Sequence, residues 1–320
     1  MRHVIGIDAG GTATRAVLVE ETGRCVGYGR AGAGNPTSAG ADVAIANHVA
    51  ATAKAISGTG TSPDLVMLTL AGGLGRDAGP LVTKALADVG IRTEVRVAGD
   101  VMSAYFSATA NPTGYLVLSG TGAISAHIVD GELAGLADGI GWLLGDEGSG
   151  FMIGHRVVRA AAADIEGRAS ATVLTALVLA QVDDEGTPDE DVRRPEIWKL
   201  MRRVYGRRPV ECADFAPLAL RAAADGDVVA QGILDDALAG LLDSCGSLIT
   251  DDGHPVVLAG GLLHDGSPLS DGLKARYPGR CLRAHEGTAG AALLALRALG
   301  VTADARTLAR IDETLAPLLG

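Results

Sequence analysis

The apolar run Val4-Ile5-Gly6-Ile7 ends at Asp8-Ala9-Gly10-Gly11-Thr12, and a second apolar run, Ala16-Val17-Leu18-Val19, leaves that turn. The pattern predicts a β-hairpin whose tip is glycine and hydroxyl. Residues 25–31 predict a third strand, which makes an antiparallel meander. A glycine-rich polar loop at 32–38 follows, with Thr37 or Ser38 placed to cap a helical start near Ala39. An alanine-rich helix is expected over 41–56. A strand at 65–71, a glycine turn at 72–75, a helix over 77–89, a short strand at 94–98 and a helix over 101–108 complete a mixed α/β layer.

After Asn111-Pro112-Thr113 the pattern restarts. Residues 114–118 are apolar, Ser119-Gly120-Thr121-Gly122 form a turn, 123–129 are apolar again, and a strand at 132–137 follows Asp130-Gly131. Strand, glycine–hydroxyl turn, strand, turn, strand thus occurs twice. Two facing copies of one anion-binding hairpin would grip both ends of a polyphosphate, and a purely structural hairpin has little reason to repeat that chemistry. Next comes a glycine-rich stretch, 139–154, that carries adjacent Asp146 and Glu147. Helices then dominate over 151–181, 195–205, 213–224 and 228–249, with an acidic loop at 183–191. Residues 256–263 predict a buried strand that breaks into a turn at Gly260-Gly261, the kind of turn that borders a ligand crevice. Residues 286–299 predict a last apolar helix, and 304–319 an amphipathic tail packed back on the first domain.

Length and composition narrow the class. The chain has 320 residues, enough for two domains with deep cores, and is 48% hydrophobic with only 3% aromatic residues. Its core is therefore built from Ala, Val, Leu and Ile. A net charge of −11 disfavours nucleic acid or an anionic membrane as partner. Any phosphate ligand must then find local donors. Cys25, Cys212, Cys245 and Cys281 are scattered without a Cys-x-x-Cys pair, which argues for a reducing compartment and against a zinc or disulfide framework. No charged-then-apolar leader precedes Val4 and no apolar run reaches membrane length, so a cytoplasmic protein is expected.

The first turn suggests specific chemistry. Gly10 and Gly11 are expected to take φ above zero and to bring N–H groups close to an anion. Asp8, at the end of the first strand, makes sense beside those amides if a hydrated divalent cation lies between it and a phosphate. Asp146 and Glu147 either complement the N-terminus of the helix near Gly150 or accept hydrogen bonds from the hydroxyls of a polar ligand. No lysine follows a glycine, and H-E-x-x-H and G-x-S-x-G are absent from the sequence. A nucleotide would therefore be held by the duplicated hairpin.

Together these residues resemble the superfamily of acetate and sugar kinases, heat-shock chaperones and actin. Within it the chain is similar to the N-acetylglucosamine and glucosamine kinases, related to the activators of 2-hydroxyacyl-CoA dehydratases. Residues 6–15 match the first phosphate loop, 119–122 the second and 256–261 the adenosine motif. Gly145-Asp146-Glu147-Gly148-Ser149-Gly150 matches the amino-sugar signature. The resemblance implies an α/β, two-lobed actin-like ATPase fold: duplicated ribonuclease H-like domains, each a central mixed β-sheet flanked by helices, at 1–111 and 112–303. It implies transfer of the ATP γ-phosphoryl group to the 6-hydroxyl of an amino sugar, and a homodimer.

The roles the resemblance implies are specific. Gly10, Gly11, Thr12, Thr14, Arg15, Gly120, Thr121 and Gly122 would hold phosphates, and Gly260 and Gly261 the adenosine. Asp8 would anchor Mg²⁺ through water. Asp100, which could equally cap a helix, would be the catalytic base. Asn35, Thr121, Gly145, Asp146 and Glu147 would meet the sugar. Ile140 stands where related N-acetylglucosamine kinases carry a tryptophan, and Trp142 is displaced by two residues, which points to free glucosamine. N-acetylglucosamine is the alternative substrate. An ATP-driven activator with a subunit-bridging iron–sulfur cluster is the alternative of another class. Such a cluster needs thiolates, for which Cys25 on a strand and Cys245 inside an apolar helix are poorly placed.

Overall fold

The computed structural model describes residues 1–70, 75–183, 186 and 194–319. The expected turn at 72–74 and most of the acidic loop at 183–191 lie outside the described residues. The first sheet contains β1 (His3–Ala9), β2 (Thr14–Glu20), β3 (Cys25–Ala31), β4 (Leu65–Leu70) and β5 (Glu94–Gly99) in the order β3-β2-β1-β4-β5. β1, β2 and β3 form the antiparallel meander, whereas β4 and β5 add in parallel. All six residues of β4 are buried, as the unbroken apolar run requires of a parallel strand covered on both faces. α1 (Pro36–Ala39) and α2 (Ala41–Ile56) lie between β3 and β4, α3 (Gly75–Asp88) between β4 and β5, and α4 (Asp100–Ala108) after β5.

The second sheet contains β6 (Gly114–Ser119), β7 (Ala123–Val129), β8 (Glu132–Asp138), β9 (Val256–Ala259) and β10 (Cys281–Arg283) in the order β10-β9-β6-β7-β8. Strand for strand this is the order of the first sheet, so the sequence repeat is a repeat of topology. Between β8 and β9 lie α5 (Gly150–Ile165), α6 (Val173–Gln181), α7 (Pro195–Tyr205), α8 (Ala216–Ala224) and α9 (Val228–Gly246). The helical stretch expected over 151–181 comprises two helices, α5 and α6. Gly167 at φ 68° ends the first, and Thr172 caps the second by accepting the Leu174 amide. β9 stops at Ala259, at the expected Gly260-Gly261 break, because Gly260 at φ 93° turns the chain into a 3₁₀ turn over Gly261–Leu263. Then come α10 (Pro268–Arg276), α11 (Gly287–Ala298) and α12 (Ala305–Leu315).

The chain divides into two compact units, 1–116 with 129–133 and 282–320, and 117–128 with 134–281. Residues 282–303, expected with the second lobe, thus lie with the first. The reason is packing: α11 lies on β1 and α4. Its approach is so close that a Cβ on Gly6 of β1 would sit 2.7 Å from the Ala291 carbonyl carbon. α12 covers β3, where Thr314 Oγ1 accepts the Cys25 amide at 2.9 Å. Among the described residues no helix is long and apolar enough to cross a membrane.

Candidate functional site

In the first unit the turn between β1 and β2 is closed by the Gly10 amide on the Ala13 carbonyl, 2.9 Å away. Gly10 and Gly11 are not among the described glycines with positive φ, contrary to expectation. What they supply is an open tip, since a Cβ on either would approach nothing nearer than 3.3 Å. Thr12 is exposed at that tip. Thr14 is fully buried and its hydroxyl donates to the Gly32 carbonyl at 2.9 Å, so it braces the turn from behind instead of facing solvent. The Gly10 carbonyl accepts the amides of Gly34 and Asn35, at 3.0 and 3.1 Å. Asn35 Oδ1 caps α1 by accepting the Thr37 amide at 2.8 Å, which leaves the Nδ2 end of that side chain for a ligand. His48 Nε2, hydrogen-bonded to the Gly34 carbonyl at 2.8 Å, fixes the loop from α2.

Asp8 closes β1 directly opposite Arg15 of β2. Arg15 Nη1 lies 3.7 Å from Asp8 Oδ2 and Arg15 Nε lies 3.6 Å from Glu286 Oε1, so one guanidinium is shared by two carboxylates. Burial raises the Asp8 pKa to about 6; Glu286 and Asp100 add to the rise and Arg15 opposes it. Two carboxylates share the one guanidinium, and Asp100 lies within electrostatic reach of Asp8, which leaves negative charge that a hydrated cation would neutralise. Among the described residues no three His, Cys, Asp or Glu converge to hold a bare ion, so a cation here would keep water and ligand oxygens in its shell. Asp100 is the first residue of α4, and Gly99 holds the N-cap position. Its Oδ1 accepts the Val101 amide at 3.0 Å. Burial pushes its carboxyl pKa up, against the pull of the Val101 and Asp100 amides. A half-buried carboxylate tethered through Oδ1 to the Val101 amide has the chemistry of a proton acceptor.

The second unit repeats the turn. The Gly120 amide closes on the Gly122 carbonyl at 2.9 Å, and the Gly120 carbonyl accepts the Gly150 amide at 2.7 Å. Thr121 is exposed at the tip while its carbonyl accepts the Phe151 amide at 3.1 Å. In both units, then, the first glycine of the turn anchors a second segment through its carbonyl. Gly260 packs on the Ser119 carbonyl too closely for any Cβ, while Gly261 is open.

The loop carrying the amino-sugar signature is organised by a residue that the sequence reading passed over. Asp138, at φ 63°, accepts the Gly139 and Asp146 amides on Oδ1, at 2.8 and 2.6 Å, and the Glu147 amide on Oδ2 at 2.7 Å. The Asp138-Gly139 dipeptide was its only signal, a turn former at a strand end. Gly145 is needed because a Cβ there would collide with Asp138 Oδ1. Asp146 turns toward the second glycine–hydroxyl turn, so that a Cβ on Gly122 would lie 3.1 Å from its Oδ2. Its pKa is raised by burial and by Asp138, while the Ala123 and Gly141 amides resist the rise. Glu147 points elsewhere, against Gly240 of α9. It lines an open groove of about 550 Å³ with Asp138, Ile140, Leu144, Arg156, Asp236 and Asp243. Arg156 is paired with Asp236. Trp142 packs on Phe151, ring centroids 5.2 Å apart, and Ile140 is 62% exposed. Neither acidic residue caps α5; Ser149 does, accepting the Met152 amide. Glu286 is the other residue the sequence reading did not place in a site.

The pattern that defines the BadF/BadG/BcrA/BcrD ATPase family matches residues 5–295. An N-acetyl-D-glucosamine kinase of Dictyostelium discoideum is 28% identical over 316 residues, which cover 91% of this chain and 97% of that one. Glucosamine kinase GspK of Vibrio cholerae is 28% identical over 167 residues, 50% of this chain and 54% of its own. A solved structure from Chromobacterium violaceum, provisionally named an N-acetylglucosamine kinase, matches with a TM-score of 0.70 at 26% identity, over 92% of this chain and 99% of that one. The two mixed five-stranded sheets flanked by helices are the actin-like ATPase fold that the sequence resemblance implies. With the family pattern spanning nearly the whole chain, both glycine–hydroxyl turns included, this protein belongs to the BadF/BadG/BcrA/BcrD ATPase family.

Proposed function

We propose that the chain is an ATP-dependent amino-sugar kinase that phosphorylates the 6-hydroxyl, with free glucosamine as the preferred sugar. Asp100 carries the reading: a half-buried carboxylate just past the carboxyl end of β5, tethered through one oxygen, suits a general base for a sugar hydroxyl. Phosphoryl transfer asks the protein mainly for positioning and charge stabilisation. Thr12 and Thr121, with the outward amides of their turns, bind phosphate oxygens. Gly260 and Gly261 leave room for the adenosine. Asn35 Nδ2 and the 145–147 segment bind the sugar, with Asp146 also bracing the second turn. Asp8 holds Mg²⁺ through water, and the ion when bound neutralises charge on the phosphates.

The glucosamine preference is supported by Glu147 and the acidic groove beside it, which favour an ammonium over an acetamide. The full-length likeness to the Dictyostelium enzyme supports the second reading, N-acetylglucosamine. An activator role finds less support. Cys25, Cys212 and Cys245 are buried, and burial raises all four thiol pKa values, that of Cys25 to about 11, which disfavours the thiolates a cluster requires. ADP release measured with glucosamine, N-acetylglucosamine, glucose and N-acetylmannosamine, followed by NMR of the product, tests the proposal. Phosphate on O6 of an amino sugar is the expected result; no sugar-dependent turnover overturns it.

A further inference from the structure

Glu286 stands at the N-cap of α11, yet its side chain makes no capping hydrogen bond. It faces Arg15 instead, Oε1 to Nε 3.6 Å. Arg15 is at the same time the cross-strand partner of Asp8, with Nη1 to Oδ2 at 3.7 Å. Both separations exceed hydrogen-bonding distance, so the guanidinium is drawn two ways and closed on neither carboxylate. Asp8 has no room to retreat. The next residue, Gly287, lies so near that a Cβ would come within 2.8 Å of Asp8 Cγ.

We infer that Glu286 is a positioning residue that draws Arg15 away from Asp8 and thereby keeps the Asp8 carboxylate open to the hydrated cation of a metal–nucleotide complex. Without the charge at 286, Arg15 has Asp8 as its remaining partner here. Directly opposed residues on one face of an antiparallel pair can close into a bidentate guanidinium–carboxylate contact. Such a contact occupies the oxygens that metal-bound water must reach. The role is separate from transferring the proton or binding the sugar, and it rests on the kinase reading proposed above.

The test uses the full chain. Mg²⁺ binding in the presence of ADP is followed by calorimetry, alongside the Mg²⁺ dependence and sugar KM of turnover. Glu286→Gln is expected to raise the Mg²⁺ concentration at half-saturation about tenfold, the scale of one charge-assisted hydrogen bond, with the sugar KM unchanged. Glu286→Asp should recover most of the loss. In an Arg15→Ala background Glu286→Gln should shift Mg²⁺ binding less than about twofold, since no guanidinium remains to be restrained. Glu286→Ala reads the same coupling if the glutamine variant folds poorly. Wild-type Mg²⁺ dependence in Glu286→Gln, or an equal loss with and without Arg15, overturns the inference and leaves the kinase reading intact. A wild-type protein with no Mg²⁺-linked nucleotide binding overturns both.

Discussion

The carbonyl of Gly10 accepts the amide of Asn35 at 3.1 Å, which ties the turn proposed to bind phosphate to the loop proposed to meet the sugar. Because one acceptor serves both segments, displacing one displaces the other. A Cβ on the neighbouring Gly34 would collide with Thr14 Oγ1 and lie 3.0 Å from Ala9 Cβ. Gly34→Ala is therefore expected to cost about 1–3 kcal/mol by overpacking and to raise the KM for ATP and for sugar together. Steady-state kinetics with each substrate varied provides the check. A rise confined to one substrate would refute the mechanical link.

Asp138 holds three amides of the 139–147 loop, with the Asp146 contact at 2.6 Å. Asp138→Ala should lower kcat/KM for the sugar about tenfold to a hundredfold, a net loss of roughly 1.5–3 kcal/mol in the order of that loop. Asp138→Asn keeps the left-handed backbone accessible and should be milder. Unchanged sugar kinetics in the alanine variant would remove Asp138 from the site.

For Asp100→Asn the expectation is a turnover loss of about 10²–10⁴-fold with ATP affinity preserved, since the shape stays and the proton acceptor goes. Single-turnover rates and equilibrium nucleotide binding separate the two effects. Retention of more than about a tenth of wild-type turnover would exclude Asp100 as the base.

Asp8 titrates near 6 in the folded chain against 3.8 ordinarily. A raised carboxyl pKa means that the native state holds this proton more tightly than the unfolded state. The metal-free protein therefore loses stability as pH rises from about 4 through about 6 and levels off above. Asp8→Asn removes that cost and should stabilise the metal-free protein by about 1–3 kcal/mol at pH 7.5, less as the pH approaches 4, while abolishing activity. Urea unfolding with a chelator present, at pH 7.5 and pH 5, measures it. A variant less stable than wild type at pH 7.5 would contradict the sign.

In the proposed sugar site Glu147 would offer a carboxylate to the ammonium of free glucosamine, a contact worth about 1.5–3 kcal/mol, so kcat/KM for glucosamine should exceed that for N-acetylglucosamine by tenfold or more. Glu147→Gln should narrow the gap. Equal or better use of the acetylated sugar by wild type would reverse the preference and leave the amino-sugar kinase reading in place.

Much of this architecture is local chemistry and therefore legible along the chain. The meander of β1 to β3, the parallel β4 and β5 and the second copy at β6 to β8 follow from short apolar runs separated by glycine, because strand periodicity and turn chemistry act over a few residues. The same holds for Asp8, Asp100 and the two glycine–hydroxyl turns, whose residues stand beside the strand ends that present them. Other features depend on contacts between distant positions. Glu286 reaches Arg15 only because α11 returns to pack on β1, and Thr14 turns inward only because the carbonyl of Gly32 waits behind it. Asp138 acts through three backbone amides that local periodicity does not place. Gly10 and Gly11 proved to need open space more than positive φ, since what surrounds a turn is set by the packing around it. Residues 282–303 joined the first unit for the same reason: helix docking follows complementary surfaces, here Gly6 against α11, and not the order of the chain.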